Sequence, residues 1–553
     1  MPSMHKNKSV NTHSFAMIPK PDIPRSVISQ EHTHKTTMDA GYLVPIYRAE
    51  VFPGDTFNVR ATIYARMATP LFPVMDNLWM DTQFWFVPYR LVWTNWQKFM
   101  GEQANPADSI SYTIPQVVSK ASGYDIGSVQ DYFGLPTLGQ LTAAATFSHS
   151  TLPLRAYNLI YNNWYRDENL QNSVVVDLDD GPDLYTDYNL LRRGKRADYF
   201  TSCLPWAQKG AAVILPLGTS APVYGDGKAL GLTQGANLLG LATDATSVMT
   251  GGTGNYNTAR GTATSGSGPN ASQGVGVVGI GEASGLYADL SAATGSTINA
   301  FRNAVAVQTL LEKDARGGTR YTEIIRQQFG VTSPDARLQR PEYLGGGSAP
   351  ININPIAQTS GTSASGTTTP LGNLAAVGAG LARNHGFRQS FTEHGIVIGM
   401  LSIRADLTYQ QGVERFWNET TRYDKYTPVF ANLGEQPVYL QELYVKGNGA
   451  SGDTTVFGYQ ERWAHLRYFP SMITGLFRST AATTIDPWHL AQKFTSAPTL
   501  NTTFIQDTPP VSRVLAVGTG ANGQQFIVDS FWKNKLARAL PMYSVPGLQT
   551  MRI

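Results

Sequence analysis

Leu191-Arg192-Arg193-Gly194-Lys195-Arg196 is the densest basic run in this 553-residue chain, and Tyr199, Phe200 and Trp206 follow it closely. Cations for phosphate oxygens and aromatic faces for stacking suit a single-stranded nucleic acid. The competing reading pairs these arginines with carboxylates at a contact between subunits, and it is slightly favoured. Lys533, Lys535 and Arg538, after Phe531 and Trp532, form a second group open to the same two readings. Lys6 and Lys8 belong to a third, where Lys20, Arg25 and Lys35 raise the cations above Asp22, Glu31 and Asp39. That excess suits nucleic acid or a solvated tail equally.

Other chemistry-bearing patterns are weaker. Gly274-Val-Gly276-Val-Val-Gly279 spells a dinucleotide fingerprint, but SGSGPNASQ precedes it where a buried strand is required. Asp177, Asp179, Asp180 and Asp183 could gather calcium, yet the spacing departs from an EF-hand loop, and an acidic turn is the simpler reading. His32 and His34 lack a third ligand nearby. Cys203 is the lone cysteine, which excludes an intrachain disulfide and reads as a small buried hydrophobe. Asn270, Asn418 and Asn501 fit the glycosylation pattern. No Ser-His-Asp, HExxH or P-loop arrangement occurs, so an enzymatic reading has no positive support, and no cofactor or metal is expected.

The elements that must position these groups are mainly strands. Phe57, Val59, Ala61 and Ile63 alternate with polar neighbours, the period of a half-buried strand. WMDTQFWFV from Trp79 is apolar on both faces and reads as a buried strand. Leu401, Ile403, Ala405 and Leu407 repeat the alternation. PVYLQELYV from Pro437, RWAHLRYF from Arg462, RVLAV from Arg513 and QFIVDSFW from Gln525 are further candidates. Arg155 to Arg166 is predicted to be helical, with Leu154, Asn158, Tyr161 and Tyr165 on one face. Strands at both ends of the chain require distant segments to pair, as in a Greek-key or jelly-roll sandwich.

Charged residues make up 15% of the chain and aromatic residues 11%, a balance that suits a protein hiding surface against partners. No apolar run approaches the ~18–20 residues needed to span a bilayer. No apolar segment follows the early lysines, so no signal peptide is expected. The tract from Pro216 to Gly295 is rich in Gly, Ser, Thr and Ala and cannot build a large core. It reads as a surface excursion from one scaffold, and Gly345 to Gly386 as a second, extended tract.

Between these tracts lies the strongest helical signal. Ile298, Phe301, Val305, Leu310 and Leu311 recur at helical spacing after Ser296 or Thr297 as cap, and Gly317 and Gly318 end the run. Tyr321, Ile325 and Phe329 share one face of a shorter helix stopped by Gly330. This stretch, with its EKDARGGTRY and SPDARLQRPEYLGGG runs, closely resembles the major capsid proteins of microviruses, specifically the gokushovirus branch. SFAMIPKPDIPRSVISQEH, LLRRGKRADYFTSCLPWAQKG and YSVPGL extend the resemblance over nearly the whole chain.

The resemblance implies a mainly β protein: an eight-stranded antiparallel jelly-roll sandwich with long loop and helical insertions. Residues 1–48 would be an extended arm on the inner face of a shell. Residues 49–215 would be the first part of the jelly roll with an inserted helix. Residues 216–295 would be the surface insertion that forms threefold protrusions. A helical segment over 296–344 and an extended segment over 345–386 would precede the second part of the jelly roll and its tail, 387–553. Sixty copies would close into a T=1 icosahedral virion around a circular single-stranded DNA genome, assembled in the host cytoplasm. Implied partners are a small basic internal DNA-binding protein, a DNA pilot protein and a bacterial surface receptor, with no membrane insertion. A cellular carbohydrate-binding jelly roll or β-sandwich glycoside hydrolase is the alternative. At a formal +3 per chain, such a shell would carry about +180, against at least ~1,660 phosphates needed to encode the chain itself. DNA contacts should therefore be patchy and non-specific.

Overall fold

A computed structural model describes residues 25–213, 298–357, 359, 374–447, 452–516 and 525–543, together with the backbone of five short strands between 223 and 288. Eight strands form the central sheet: β1 (Ser26–Met38), β2 (Val44–Val51), β3 (Thr56–Met67), β4 (Leu78–Pro88), β5 (Glu342–Ala357), β6 (Leu374–Ser390), β7 (Gly395–Ala405) and β8 (Phe526–Arg538). Their order across the sheet is β1-β8-β3-β6-β5-β4-β7-β2, and every neighbouring pair is antiparallel. The pairs nest: β1 with β8, β2 with β7, β3 with β6, β4 with β5. That is a long hairpin rolled up, the jelly-roll topology. The sheet nearly closes on itself. Trp532 of β8 stacks on Tyr47 of β2 with ring centroids 4.7 Å apart, although the two strands lie near opposite ends of the order.

Strand alternation sorts the side chains. Phe57, Val59, Ala61, Ile63, Ala65 and Met67 of β3 enter the main core, while Arg60, Thr62, Tyr64 and Arg66 face outward. Phe526, Val528, Trp532 and Leu536 of β8 join the same core. β4 is buried on both sides, as its composition predicts. Leu78, Met80, Phe84 and Phe86 serve the main core, and Trp85 and Val87 a second one.

That second core covers the outside of β4 and β7. It is built by the insertion after β4, chiefly helix α1 (Leu152–Ile160), whose last turn continues as a π-helix over Tyr161–Tyr165. Leu154, Asn158 and Tyr161 are buried as the spacing predicts. Arg155 is also fully buried and chelates Asp183, which also accepts from the Tyr188 hydroxyl. A third cluster joins Tyr199, Phe200 and Cys203 to Val438, Leu443, Phe457 and Phe504. Helices α2 (Ile298–Arg316) and α3 (Tyr321–Phe329) match the sequence reading, and Gly330 ends α3 at φ +69°, where glycine carries no Cβ penalty. The proposed caps Ser296 and Thr297 lie outside the described residues.

Contacts divide the chain into two compact units, residues 210–313 and the remainder. The smaller unit contains a three-stranded and a two-stranded sheet. Several segments differ from their sequence reading. Ser26–Met38, inside the expected arm of residues 1–48, and Val44–Val51, which begins in it, are strands of the central sheet. β1 escaped notice because only Met38 is buried, so it shows no apolar period. β5 and β6 occupy much of 345–386; Ala376, Gly378, Gly380 and Ala382 line the inner side of β6, so small residues hide its alternation. RWAHLRYF and RVLAV are not strands: Ala464–Arg467 and Val511–Val514 are single 3-10 turns. PVYLQELYV holds only the end of a short strand, Glu435–Tyr439.

Candidate nucleic-acid interface

The densest basic run is threaded into the protein. Arg193 donates its backbone N–H to Gly41 O, Lys195 its own to Ile505 O, and Asp507 returns one to Arg193 O. Gly41 permits this approach: at φ +82°, any Cβ would stand 2.0 Å from Asp507 O. The side chains are correspondingly engaged. Arg192 donates to the Tyr42 hydroxyl at 2.8 Å and lies over its ring. Arg193 donates to Asp81 (2.9 Å) and Ser402 (2.6 Å), and Arg196 to Asp406 (2.9 Å). Lys195 is largely buried, with its Nζ 4.3 Å above the Phe504 ring.

Asp81 is the hub. It accepts from Arg193, from Arg404 (2.6 Å) and from the Ser348 hydroxyl (2.6 Å). Burial pushes its carboxyl up, but Ser348, Arg404 and Arg193 outweigh burial and hold it below the ordinary carboxylate range. Burial lowers Lys195 to about 8, partly opposed by Asp507 and Asp198. Burial raises Asp507 to about 6 against the pull of Arg404 and Lys195. The carboxylates partnering the run thus come from its own chain.

The second group divides. Arg538 is chelated by the buried Asp55, with contacts of 2.7 and 3.0 Å, and covers the Phe52 ring. Lys533 and Lys535 point outward from β8. Lys533 lies 3.7 Å from Glu31 in a solvent-exposed pair that contributes little stability. Register places further cations around them. Lys533 stands opposite Arg60 on β3, and Asn58, opposite Lys535, faces Arg388 on β6. Thr62 faces Arg383, and Ile527 stands opposite Arg66. Lys35 of β1 faces Asp529.

The outer face of β1, β8, β3 and β6 therefore carries seven exposed cations, Lys35, Arg60, Arg66, Arg383, Arg388, Lys533 and Lys535. Only Glu31 and Asp529 oppose them among its outward-facing carboxylates. Tyr64, 45% exposed, and the half-buried Phe531 lie among them as stacking surfaces. The opposite outer face, over β4 and β7, is covered by the second core. Arg60, Arg66, Arg383 and Arg388 were missed in sequence because each is solitary there; for Arg60 and Arg66, alternation with inward apolar residues was the available signal. Lys6 and Lys8 lie outside the described residues.

The other motifs are placed as follows. Asp183 binds Arg155, Asp180 accepts from Trp93 Nε1 (2.7 Å) and Asn95, and Asp179 accepts from Gly181 N. Among the described residues no group of three His, Cys, Asp or Glu is placed to hold a metal ion. His32 lies beside the Trp532–Tyr47 stack, its ring centroid 6.2 Å from that of Trp532 and 6.3 Å from that of Tyr47. Cys203 donates its thiol to Tyr199 O at 3.2 Å, and burial raises its pKa. The glycine fingerprint lies outside the described residues, apart from the backbone of Gly276–Val277. Among the described residues, no helix is long and apolar enough to cross a membrane.

A jelly roll with large insertions and an uncovered basic face defines a structural building block. Residues 16–548 match the family model described as capsid protein (F protein). The chain is 43% identical to capsid protein VP1 of Bdellovibrio phage phiMH2K over 540 residues, 97% of this chain and 98% of that one. It is 42% identical to capsid protein VP1 of Chlamydia phage 1 over 608 residues, 99% of each chain. Capsid protein VP1 of Spiroplasma virus 4 is 35% identical over 98% of both chains. The chain belongs to the phage F-type capsid protein family, on its gokushovirus-type microvirus branch. It is a non-enzymatic structural protein of a virion.

Proposed function

We propose that sixty copies of this capsid protein close into a T=1 icosahedral shell around a circular single-stranded DNA genome, with the outer face of β1, β8, β3 and β6 turned toward the strand. The uncovered array of seven cations with Tyr64 and Phe531 carries this reading. Backbone phosphates bind such an array without sequence preference. Closed symmetry limits the assembly to a defined size. Phosphate left uncompensated by the shell goes to small cations and a separate basic protein; a pilot protein completes the particle. Sixty chains of 60.2 kDa give about 3.6 MDa, within reach of light scattering. A nuclease-protected strand inside particles of that mass is the expected result. Small oligomers without nucleic acid overturn the proposal.

We infer host attachment for the Gly- and Ser-rich tract 216–295, most of which lies outside the described residues. Its composition, rich in Gly, Ser, Thr and Ala with few large apolar residues, supports this role. Deleting Gly251 to Gly285 should leave shells intact and reduce adsorption to bacteria; unchanged adsorption removes the inference.

A further inference from the structure

A cavity of about 370 Å³ opens beside the buried basic run, lined by Gln83, Trp85, Trp164, Tyr165, Tyr343, Arg193, Gly194, Lys195 and Arg404. Its size falls in the range of small-molecule sites. It is separate from the exposed sheet face, on the side of β4 that α1 covers.

The lining combines two chemistries. Three cations border the cavity and none of its lining residues is a carboxylate. Asp81, behind the wall, binds Arg193 through Nη1 and Arg404 through Nε and Nη2. One carboxylate thus serves two guanidiniums. Lys195 Nζ adds a third positive charge, against a ring face and near Asp507 and Asp198. Gln83 uses its carbonyl oxygen on the Tyr165 hydroxyl, which leaves its amide N–H groups available. The lining therefore offers donors and positive charge to an anion.

The remaining wall is aromatic. Trp85 lies 4.7 Å from Trp164 and 5.0 Å from Tyr343, centroid to centroid. The Trp85 N–H donates to the Tyr165 hydroxyl and the Trp164 N–H to Pro341 O, so both indoles are held in place. Tyr343 is 47% exposed and can present a free ring face at the mouth. Fixed rings of this kind stack planar bases whatever their sequence.

We propose that this cavity binds a nucleotide, its phosphate between Lys195, Arg193 and Arg404 and its base against the exposed ring of Tyr343. The ligand is either a free mononucleotide or one residue of a DNA strand, and both present the same phosphate and ring. The site stands on the cavity alone and does not depend on the reading of the sheet face.

The test is equilibrium dialysis of the purified full chain against deoxyadenosine monophosphate, inorganic phosphate and an octadeoxyadenylate. One saturable mononucleotide site per chain is expected, at least tenfold weaker in Lys195→Gln. Tyr343→Ala, at a half-exposed ring, should weaken the mononucleotide several-fold and leave inorganic phosphate unchanged. Octamer competition for the same site assigns it to a strand; absence of competition assigns it to the free nucleotide. Lack of saturable mononucleotide binding, indifference to both variants, or phosphate binding as tightly as the mononucleotide overturns the proposal. Charge reversal on the sheet face leaves this binding unchanged, so the two readings fail separately.

Discussion

Arg538, at the end of β8, holds Asp55 in the turn before β3 with both Nε and Nη2, across 483 positions of sequence. Asp55 also accepts from the backbone N–H of Phe52 and is 1% exposed. Arg538→Ala leaves that carboxylate buried and unpaired, a loss of about 3–5 kcal/mol. Denaturant unfolding should show it. Asp55→Asn combined with Arg538→Ala should recover part of the loss, because no stranded charge remains.

Lys533→Glu with Lys535→Glu is expected to spare folding, since both side chains are exposed and neither holds a buried partner. Packaged or bound single-stranded DNA should decrease. The log–log salt slope of binding should flatten by about 0.7 for each phosphate contact removed. Unchanged slope and DNA content in particles would count against the sheet face. Arg193→Ala should instead lower stability, because Arg193 bridges Asp81 and Ser402 inside the protein.

Arg155 and Asp183 form a fully buried pair beneath the second core, with Tyr188 as an added donor. Asp183→Asn removes the charge that Arg155 requires and should cost about 3–5 kcal/mol. Thermal unfolding of the purified chain would report it. Calcium should not protect the wild-type chain if these carboxylates serve only Arg155, Trp93 and Asn95.

Asp507 gives a signed pH dependence. Its folded pKa, raised by burial to about 6, lies above its unfolded value of about 3.9. Its contribution to stability is therefore fully present below pH ~4 and lost as pH rises through ~6. Asp507→Asn should flatten stability over that interval, and melts at pH 4, 5, 6 and 7 would detect the change. An unaltered slope would place the responsible group elsewhere.

Much of the fold was readable because alternation survives wherever one strand face meets the core. Phe57 to Ile63 and Leu401 to Ala405 show this period, and Gly317, Gly318 and Gly330 mark the helix ends. β1 was not readable, since its single buried side chain leaves no pattern. β6 was obscured because Ala and Gly supply its inward positions, a composition shared with loops. For the candidate site, clustering in sequence was a poor guide. Arg192 to Arg196 stand together but meet carboxylates from Asp81 and Asp406, positions no local window contains. Arg60, Arg383 and Lys533 stand far apart, and only strand register assembles them.

The nesting of first strand with last has a consequence for synthesis. β1 has one neighbour, β8, and β3 needs β8 on one flank. Until the ribosome has delivered residues through Arg538, an early ribbon waits without a mate and a middle one has an open flank. Chains aborted before that point cannot present a finished tile, so the topology itself proofreads which polypeptides may join a growing particle.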